Sequence, residues 1–345
     1  MASGRPTVSL VAERAGVSIA SVSRVLNGLP ASPEMTARVQ AAVEALGYAP
    51  DAAARSLKMR RTDQLALAVD DIGNPVYVEM MRAIESVVQP LGFRLVVSST
   101  RSDPDGASGV LRSLARGYAD GLILSQLRPT DELVDELRRC RLPVVVVGKL
   151  PSGVDIDNVR TDSAKGVGIA VEHLVTTGRT SIAFVNGPAG AVPATARSRG
   201  FQHALTKHDL DVPDDLLVAA DDFTFEAGQR AGKELFETAG PDAVVCANDL
   251  LAIGVMRAAA VAGITVPDDV AVVGVDDIEL AALYSPSLSS VSLRSAERGE
   301  RAARLLLDRL ADPELPCRRT TVGPRLVARE STQPRPASAR RTGTR

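Results

Sequence analysis

Long apolar runs are missing from this 345-residue sequence: the longest, such as Val144 to Gly148, are strand-sized. A membrane helix needs roughly 20 apolar residues in a row, so none is expected. The opening MASGRPTVSLVAERAG has no apolar signal core, because Arg5, Glu13 and Arg14 interrupt it. The chain is therefore expected to stay in the cytoplasm. Cysteine is scarce: Cys140, Cys246 and Cys317 lie far apart and form neither a disulfide framework nor a CxxC pair, which suits a reducing compartment. Histidine is scarce too. His203 and His208 are five apart, which misses the i, i+4 spacing of a helical metal pair, and His173 stands alone. There is no GxSxG elbow and no Walker loop, and KGVG at 165–168 falls short of GxGxxG. Cys246, at the end of a strand-like run, reads as a small buried hydrophobe rather than a nucleophile. No catalytic residue, metal or cofactor is expected, and the chain is not read as an enzyme.

What is present is an ordinary globular composition, 45% hydrophobic and 24% charged. The length suits two or three domains. The net charge of −2 hides an asymmetry. Residues 1–61 carry eight basic and four acidic residues, the last fifteen carry four Arg and no acid, and the rest holds 28 basic against 38 acidic. A small basic head on an acidic body is what a chain needs if the head alone meets a polyanion.

Residues 7–48 read as three short helices. Ser9 is a candidate cap for the first, with Val8, Val11, Ala12 and Ala15 on one face and Gly16 ending it. Ser18 caps a second from Ile19 to about Asn27, with Val22, Val25 and Leu26 inward. Ser32 caps a third, where Met35, Val39, Val43 and Leu46 recur at helical spacing before Gly47. Helix, Ala-Gly turn, helix is the mark of a helix-turn-helix. Its second helix would project Ser18, Ile19, Ala20, Ser21, Ser23, Arg24 and Asn27 outward, in a shape that fits the DNA major groove. An ordinary three-helix packing unit is the plainer alternative. Residues 49–61 (APDAAARSLKMRR) are short, Ala-rich and basic. Alone they are too short for a stable helix, and they are expected to be helical only with a partner.

From residue 64 apolar strands alternate with amphipathic helices. One set is LALAVDDI (65–72), RLVVSST (94–100), GLILSQ (121–126) and PVVVVG (143–148). A second is SIAFVNG (181–187), LLVAADD (216–222), AVVCAND (243–249) and VAVVGVDD (270–277). This is the pattern of an α/β fold with doubly wound parallel sheets, and two sets suit two lobes. Ligands in such folds bind at the carboxyl ends of strands. Asp70, Asp71, Asn248, Asp249, Asp276 and Asp277 all sit there, either as ligand groups or as helix caps. The tail, 331–345, has no large apolar residue to anchor it and is expected to be disordered and basic.

VAERAGVSIASVSRVLNG (11–28), then Tyr48 to Pro50, then ARSLKMRRT (54–62), resembles the head and hinge of the lactose-repressor (LacI/GalR) family of bacterial transcription regulators. The body is similar as well, through NPVY (74–77), DGLIL (120–124), EHLVTTGRTSIAFVNGP (172–188), RSRGF (197–201), CANDLLAIGVMRA (246–258) and VPDDVAVVGVDD (266–277). The likeness runs over about residues 7–330.

It implies a helix-turn-helix head at 1–48, a hinge helix at 49–61 and an effector-binding core at 62–330 like a periplasmic sugar-binding protein. The first lobe would comprise about 62–160 plus 292–318, the second about 161–291 plus 319–330. It further implies a homodimer on a pseudo-palindromic double-stranded operator, without a membrane, associated with the nucleoid. Ile19, Ala20 and Arg24 match the family's base-reading positions, and Arg24 suits a bidentate grip on guanine. Ile19 and Ala20 depart from the polar pair of some relatives, which leaves the operator sequence open. Ser18, Ser23 and Asn27 look like phosphate-positioning residues. Leu57 matches a leucine that wedges into the minor groove, or alternatively a dimer contact.

Tyr77, Arg197, Phe223, Asn248 and Asp276 align with effector contacts, a set suited to a polyol. The two aromatics are alternatively core residues, Arg197 a partner of a surface acid, and Asp276 a cap. Ala191 and Pro193 stand where purine-binding relatives carry Arg and Thr, so a sugar-like effector is expected. Dimer contacts would fall around 76–92 and 250–262. The tail has no leucine heptad, so nothing larger than a dimer is expected. The expected mechanism is a repressor in which effector closes the cleft and shifts the hinge pairing. An activator of the same build, or a nucleoside effector, is the alternative.

Overall fold

A computed structural model describes residues 6–49, 61–101, 105–125, 130–151, 153–211 and 213–333. The chain forms two compact units, one up to Thr62 and one from Asp63.

In the first unit, α1 (Val8–Ala15), α2 (Ile19–Leu26) and α3 (Pro33–Leu46) pack around Val11, Ala12, Ala15, Val22, Val39 and Ala42. Thr7, not Ser9, caps α1: its extended backbone lets the hydroxyl accept from the Leu10 N–H, while Ser9 already lies inside the helix. Ser18 and Ser32 cap α2 and α3 by the same geometry. Gly16 takes the left-handed conformation (φ 60°) that turns α1 into α2. The turn is tied down by Arg38, whose Nη2 donates to the carbonyls of Ala15 (2.6 Å) and Gly16 (3.0 Å).

The second unit holds two six-stranded sheets. The first lobe uses β1 (Gln64–Val69), α4 (Val76–Val88), β2 (Arg94–Ser99), α5 (Gly106–Leu114), β3 (Gly121–Ser125), α6 (Asp131–Arg139), β4 (Val144–Val147) and β5 (Asp157–Thr161). The second uses α7 (Ser163–Thr176), β6 (Ile182–Asn186), α8 (Val192–Lys207), β7 (Leu217–Ala219), α9 (Phe225–Thr238), β8 (Ala243–Cys246), α10 (Asp249–Val261), β9 (Ala271–Val275), α11 (Glu279–Leu283) and β10 (Ser289–Ser292). The chain then returns to the first lobe with α12 (Ser295–Ala311) and β11 (Arg319–Val322), and ends in the second with β12 (Arg325–Val327).

Strand order is β11-β5-β4-β3-β1-β2 in one sheet and β12-β10-β9-β8-β6-β7 in the other, with every pairing parallel except β12 on β10. The period of two sorts each strand between two cores: Leu65, Leu67 and Val69 face one layer of helices, Ala66 and Ala68 the other.

Two sequence expectations are corrected here. Residues 319–322 belong to the first lobe, since β11 pairs with Asn158–Thr161 and buries Val322 in that lobe's core; the chain crosses at 323–324. The tail does not begin at 331. Ser331 and Thr332 are fully buried. The Ser331 hydroxyl donates to the Val272 carbonyl (2.6 Å), and the Thr332 hydroxyl meets Ser289 Oγ (2.7 Å) and His173 Nε2 (2.8 Å). Polar atoms anchor a segment that has no apolar residue to do so. Residues 334–345 lie outside the described residues.

Candidate functional site

Two surfaces carry the candidate chemistry. On α2, Val22 is buried, while Ser18, Ile19, Ala20, Arg24 and Asn27 are exposed and Ser21 and Ser23 half-exposed. Ser18 Oγ accepts from the Ser21 N–H (3.1 Å) and meets its hydroxyl (2.9 Å), so Ser21 supports the cap rather than reaching outward. Asn27 Nδ2 donates to the Ser23 carbonyl (2.7 Å), which ties both to the helix end. Ile19 is 51% exposed, a large apolar side chain with no packing reason to be there. Leu57 and residues 50–60 of the expected hinge lie outside the described residues.

The second surface is a cleft of about 1000 Å³ between the two lobes. It brings together all five expected effector residues, Tyr77, Arg197, Phe223, Asn248 and Asp276. Each arrives by a separate route. Tyr77 stands in the first turn of α4, buried and hydrogen-bonded to Ser125 at the end of β3; burial pushes its phenol up to about 12, so it stays neutral. Asn248 caps α10, its Oδ1 accepting from the Leu251 N–H (2.9 Å), and its Nδ2 donates to the Phe223 carbonyl (3.0 Å). It is both a cap and the tether of the loop that presents Phe223. The Phe223 ring lies against Gly187, where a Cβ would meet ring carbons at 2.1 Å, so only glycine leaves room for it.

Asp276 sits just past β9 with φ 113°, a conformation costly for any residue with a Cβ. The surrounding turn is held at many points. The Asp276 N–H donates to the Val291 carbonyl (3.0 Å), the Asp277 N–H to Ser290 Oγ (3.0 Å) and the Ile278 N–H to Asp249 Oδ2 (2.8 Å), while Arg329 pairs with Asp277 (2.6 Å). Asp249 also accepts from Ser290 Oγ (2.5 Å); burial pushes its carboxyl well above the usual range. Asp249 is thus a brace behind the cleft wall. Opposite Asp276 stands Arg197 on α8, 6% exposed, with Nη2 3.8 Å from Asp276 Oδ1. Burial pushes the Arg197 guanidinium down and, opposed by Arg197, the Asp276 carboxyl up: each is charged at a cost that its partner only partly offsets.

At the mouth, Arg101 follows β2 in the first lobe and grips Asp222 of the second with both terminal nitrogens (3.2 Å each), while also facing Asp70 (3.4 Å) and Asp71 (3.5 Å). The strand-end acids 70 and 71 therefore serve an ion cluster that joins the lobes.

Sequence reasoning missed Arg298, Arg160 and Thr161, which also line the cleft. Arg160 and Thr161 end β5, a strand with no apolar run, and Arg298 lies in the first turn of α12, far from any motif.

A profile for bacterial regulatory proteins of the lacI family matches residues 7–51, and one for a periplasmic binding protein-like domain matches residues 171–332. The ribose operon repressor of Escherichia coli (strain K12) is 35% identical over 330 residues, spanning 94% of this chain and 99% of its own length. This chain belongs to the lacI family. It is a DNA-binding transcriptional regulator with a helix-turn-helix head and a periplasmic-binding-protein-like core. Other lacI-family relatives include the regulator CelR of Thermobifida fusca, 34% identical across 95% of this chain and 98% of its own. Among solved structures, the lac repressor dimer bound to operator and the anti-inducer ONPF superposes with a TM-score of 0.84 at 27% identity, covering 95% and 99% of the two chains. A CelR–cellobiose complex does so at 0.72 and 32%, covering 95% and 100%. A lacI-family regulator from Enterococcus faecium with bound ribose gives 0.69 and 29%, covering 79% and 99%. No helix among the described residues is long and apolar enough to cross a membrane.

Proposed function

We propose that this regulator is a homodimeric repressor that reads a pseudo-palindromic operator with α2 and releases or tightens its hold when a sugar-like effector enters the cleft between the core lobes. The observation that carries the first half is the solvent-facing side of α2, where Ser18, Ile19, Ala20, Arg24 and Asn27 stand free of the head's core. A helix with that profile fits the major groove, with Arg24 reading guanine and Ser18, Ser23 and Asn27 fixing register on phosphates. Leu57, from the hinge, would enter the minor groove.

The second half rests on Tyr77, Arg197, Phe223, Asn248 and Asp276 lining one cleft: an aromatic face for the apolar side of a sugar ring and polar groups for its hydroxyls. The structures with bound ribose and with cellobiose support a sugar as effector. Exposed apolar side chains lie where a second subunit could cover them: Val96 and Val97 on edge strand β2, and Val261, Leu280 and Leu283 near the end of α10 and on α11. The work of the chain is binding rather than catalysis, in the cytoplasm, with no metal or cofactor.

The test is reciprocal. Selection from random DNA should yield two inverted half-sites, and the sugar that raises the melting temperature should shift operator affinity by about 5–150-fold, with operator shifting sugar affinity equally. Equal sugar affinity with and without operator would defeat the coupling, and a selected site without two-fold symmetry would defeat the dimeric readout.

A further inference from the structure

Four buried side-chain atoms without a hydrogen-bond partner among the described residues stand on residues of the cleft wall: Arg160 Nε, Thr161 Oγ1, Arg197 Nε and Arg298 Nε. Three of the four are guanidinium N–H groups, which can only donate. Buried donors without acceptors are uncommon in a finished fold, and here three of them belong to arginines that line one cavity.

The charges are unbalanced in the same direction. Arg298 donates to Ser295 Oγ (2.8 Å) and makes no ion pair among the described residues. Its guanidinium is pushed down first by burial, and it sits near enough to Arg197 for the two like charges to repel. The carboxylate that faces both is Asp276, which meets Arg197 only at 3.8 Å. Asp249 lies behind the wall, where Ser290 and the Ile278 N–H hold its two oxygens, and it acts on Arg197 but not on Arg298. Arg197 and Arg298 therefore share Asp276 on the cleft wall, and Arg298 has no ion pair of its own among the described residues.

We infer that the effector is a polyhydroxylated acid, with its carboxylate or phosphate seated between Arg197 and Arg298. This rests on the cleft being the effector site. Guanidinium forks match carboxylate and phosphate oxygens in pairs, which would relieve the repulsion between the two arginines. Tyr77, Asn248 and Asp276 are left for hydroxyls and Phe223 for the ring face. Arg197 is carried by α8 of the second lobe and Arg298 by α12, which packs in the first. An anion held by both bridges the lobes, so the acid group is also what draws them together.

The full-length protein should be titrated calorimetrically, at constant ionic strength, with matched sets: D-glucose, D-gluconate, D-glucuronate and glucose 6-phosphate; and D-ribose, D-ribonate and ribose 5-phosphate. At least one acid should bind about tenfold or more tighter than its neutral parent, with the carboxylate and phosphate arms telling the two acids apart. Arg298→Met keeps the side chain's length and removes its charge. It should abolish most of that preference, and Arg298→Lys should restore part of it. A neutral sugar that binds as tightly as its acids, an acid preference that survives Arg298→Met, or no binding by any acid of the panel overturns the inference. Binding unchanged in Asp276→Asn and Arg197→Met overturns the cleft reading itself.

Discussion

The head and the cleft reach function by opposite routes. On and beside α2 the candidate DNA-reading residues are close neighbours, exposed or half-exposed, while Val22 between them is buried in the head's core. In the cleft the candidate residues come from positions 77 to 298 in the sequence; Tyr77, Arg197, Asn248 and Asp276 are buried, and Asp276 is held in a strained backbone conformation. Arg24 makes a long hydrogen bond to the Pro30 carbonyl (3.5 Å) and no ion pair among the described residues, whereas Asp276 occupies a left-handed turn braced by Asp249, Ser290 and Arg329. The lesson is that recognition is separable from stability in the head and inseparable from it in the core.

The sharpest way to set the two units apart is to break one. Phe201 is fully buried and stacks on Phe184 with centroids 4.7 Å apart. Phe201→Ala should cost about 3–5 kcal/mol, lowering the core's calorimetric transition by about 10 °C. The head, a separate compact unit, should keep its own transition. A head that melts along with the weakened core would erase the distinction between the units.

Next in size is the converse change. Arg24→Ala should cost about 1–3 kcal/mol of discrimination at one base pair in an anisotropy assay. It should leave both melting transitions within about a degree, as exposed substitutions do. A fall of several degrees in the head would mean that Arg24 belongs to its packing.

Between the lobes the effect should be small. Arg101 and Asp222 are partly exposed at the mouth of the cleft, at 45% and 34%, and exposed ion pairs contribute about 0–1 kcal/mol. Arg101→Ala should therefore change effector affinity by less than about fivefold, and the change should vanish in high salt. A larger or salt-insensitive change would mark Arg101 as a structural member of the cleft.

The same contrast explains how much was legible in the sequence. The head's caps, its turn and its outward face all follow from residues within one or two turns of each other, and only the first cap was misplaced, by two residues, from Thr7 to Ser9. The alternating strands followed from apolar runs such as 143–148; the strand-end rule marked Asn248 and Asp276 together with Asp70, Asp71, Asp249 and Asp277, and the family resemblance singled out the two. What escaped were strands whose side chains are polar. Asn158 in β5 is buried because its amide donates to the carbonyls of Val146 (2.9 Å) and Gly148 (2.6 Å), and Ser289 in β10 because its hydroxyl meets Thr332. Hydropathy cannot register burial that is secured by hydrogen bonds. Arg298 escaped for a related reason: on an amphipathic helix an arginine reads as solvent-facing, and only the return of α12 to the first lobe turns it into the cleft.

The smallest expected effect tests the same point at the tail, where polar contacts stand in for apolar ones. His173 lies half-buried on α7 with Nε2 2.8 Å from Thr332 Oγ1, and burial pushes its pKa below the usual 6.5. In the folded chain the ring resists protonation, whereas the unfolded chain takes up a proton near 6.5. The unfolded state therefore binds more protons as pH falls below 6.5, so the stability contributed by His173 is present above that value and lost progressively below it. His173→Gln keeps a hydrogen-bonding side chain but cannot titrate. It should narrow the drop in core melting temperature between pH about 7.5 and about 5.5 by a degree or so, without changing the value at the higher pH. An equal drop in both proteins would mean that Thr332 holds the chain end without help from the ring, and that the anchoring rests on Ser289 and Ser331 alone.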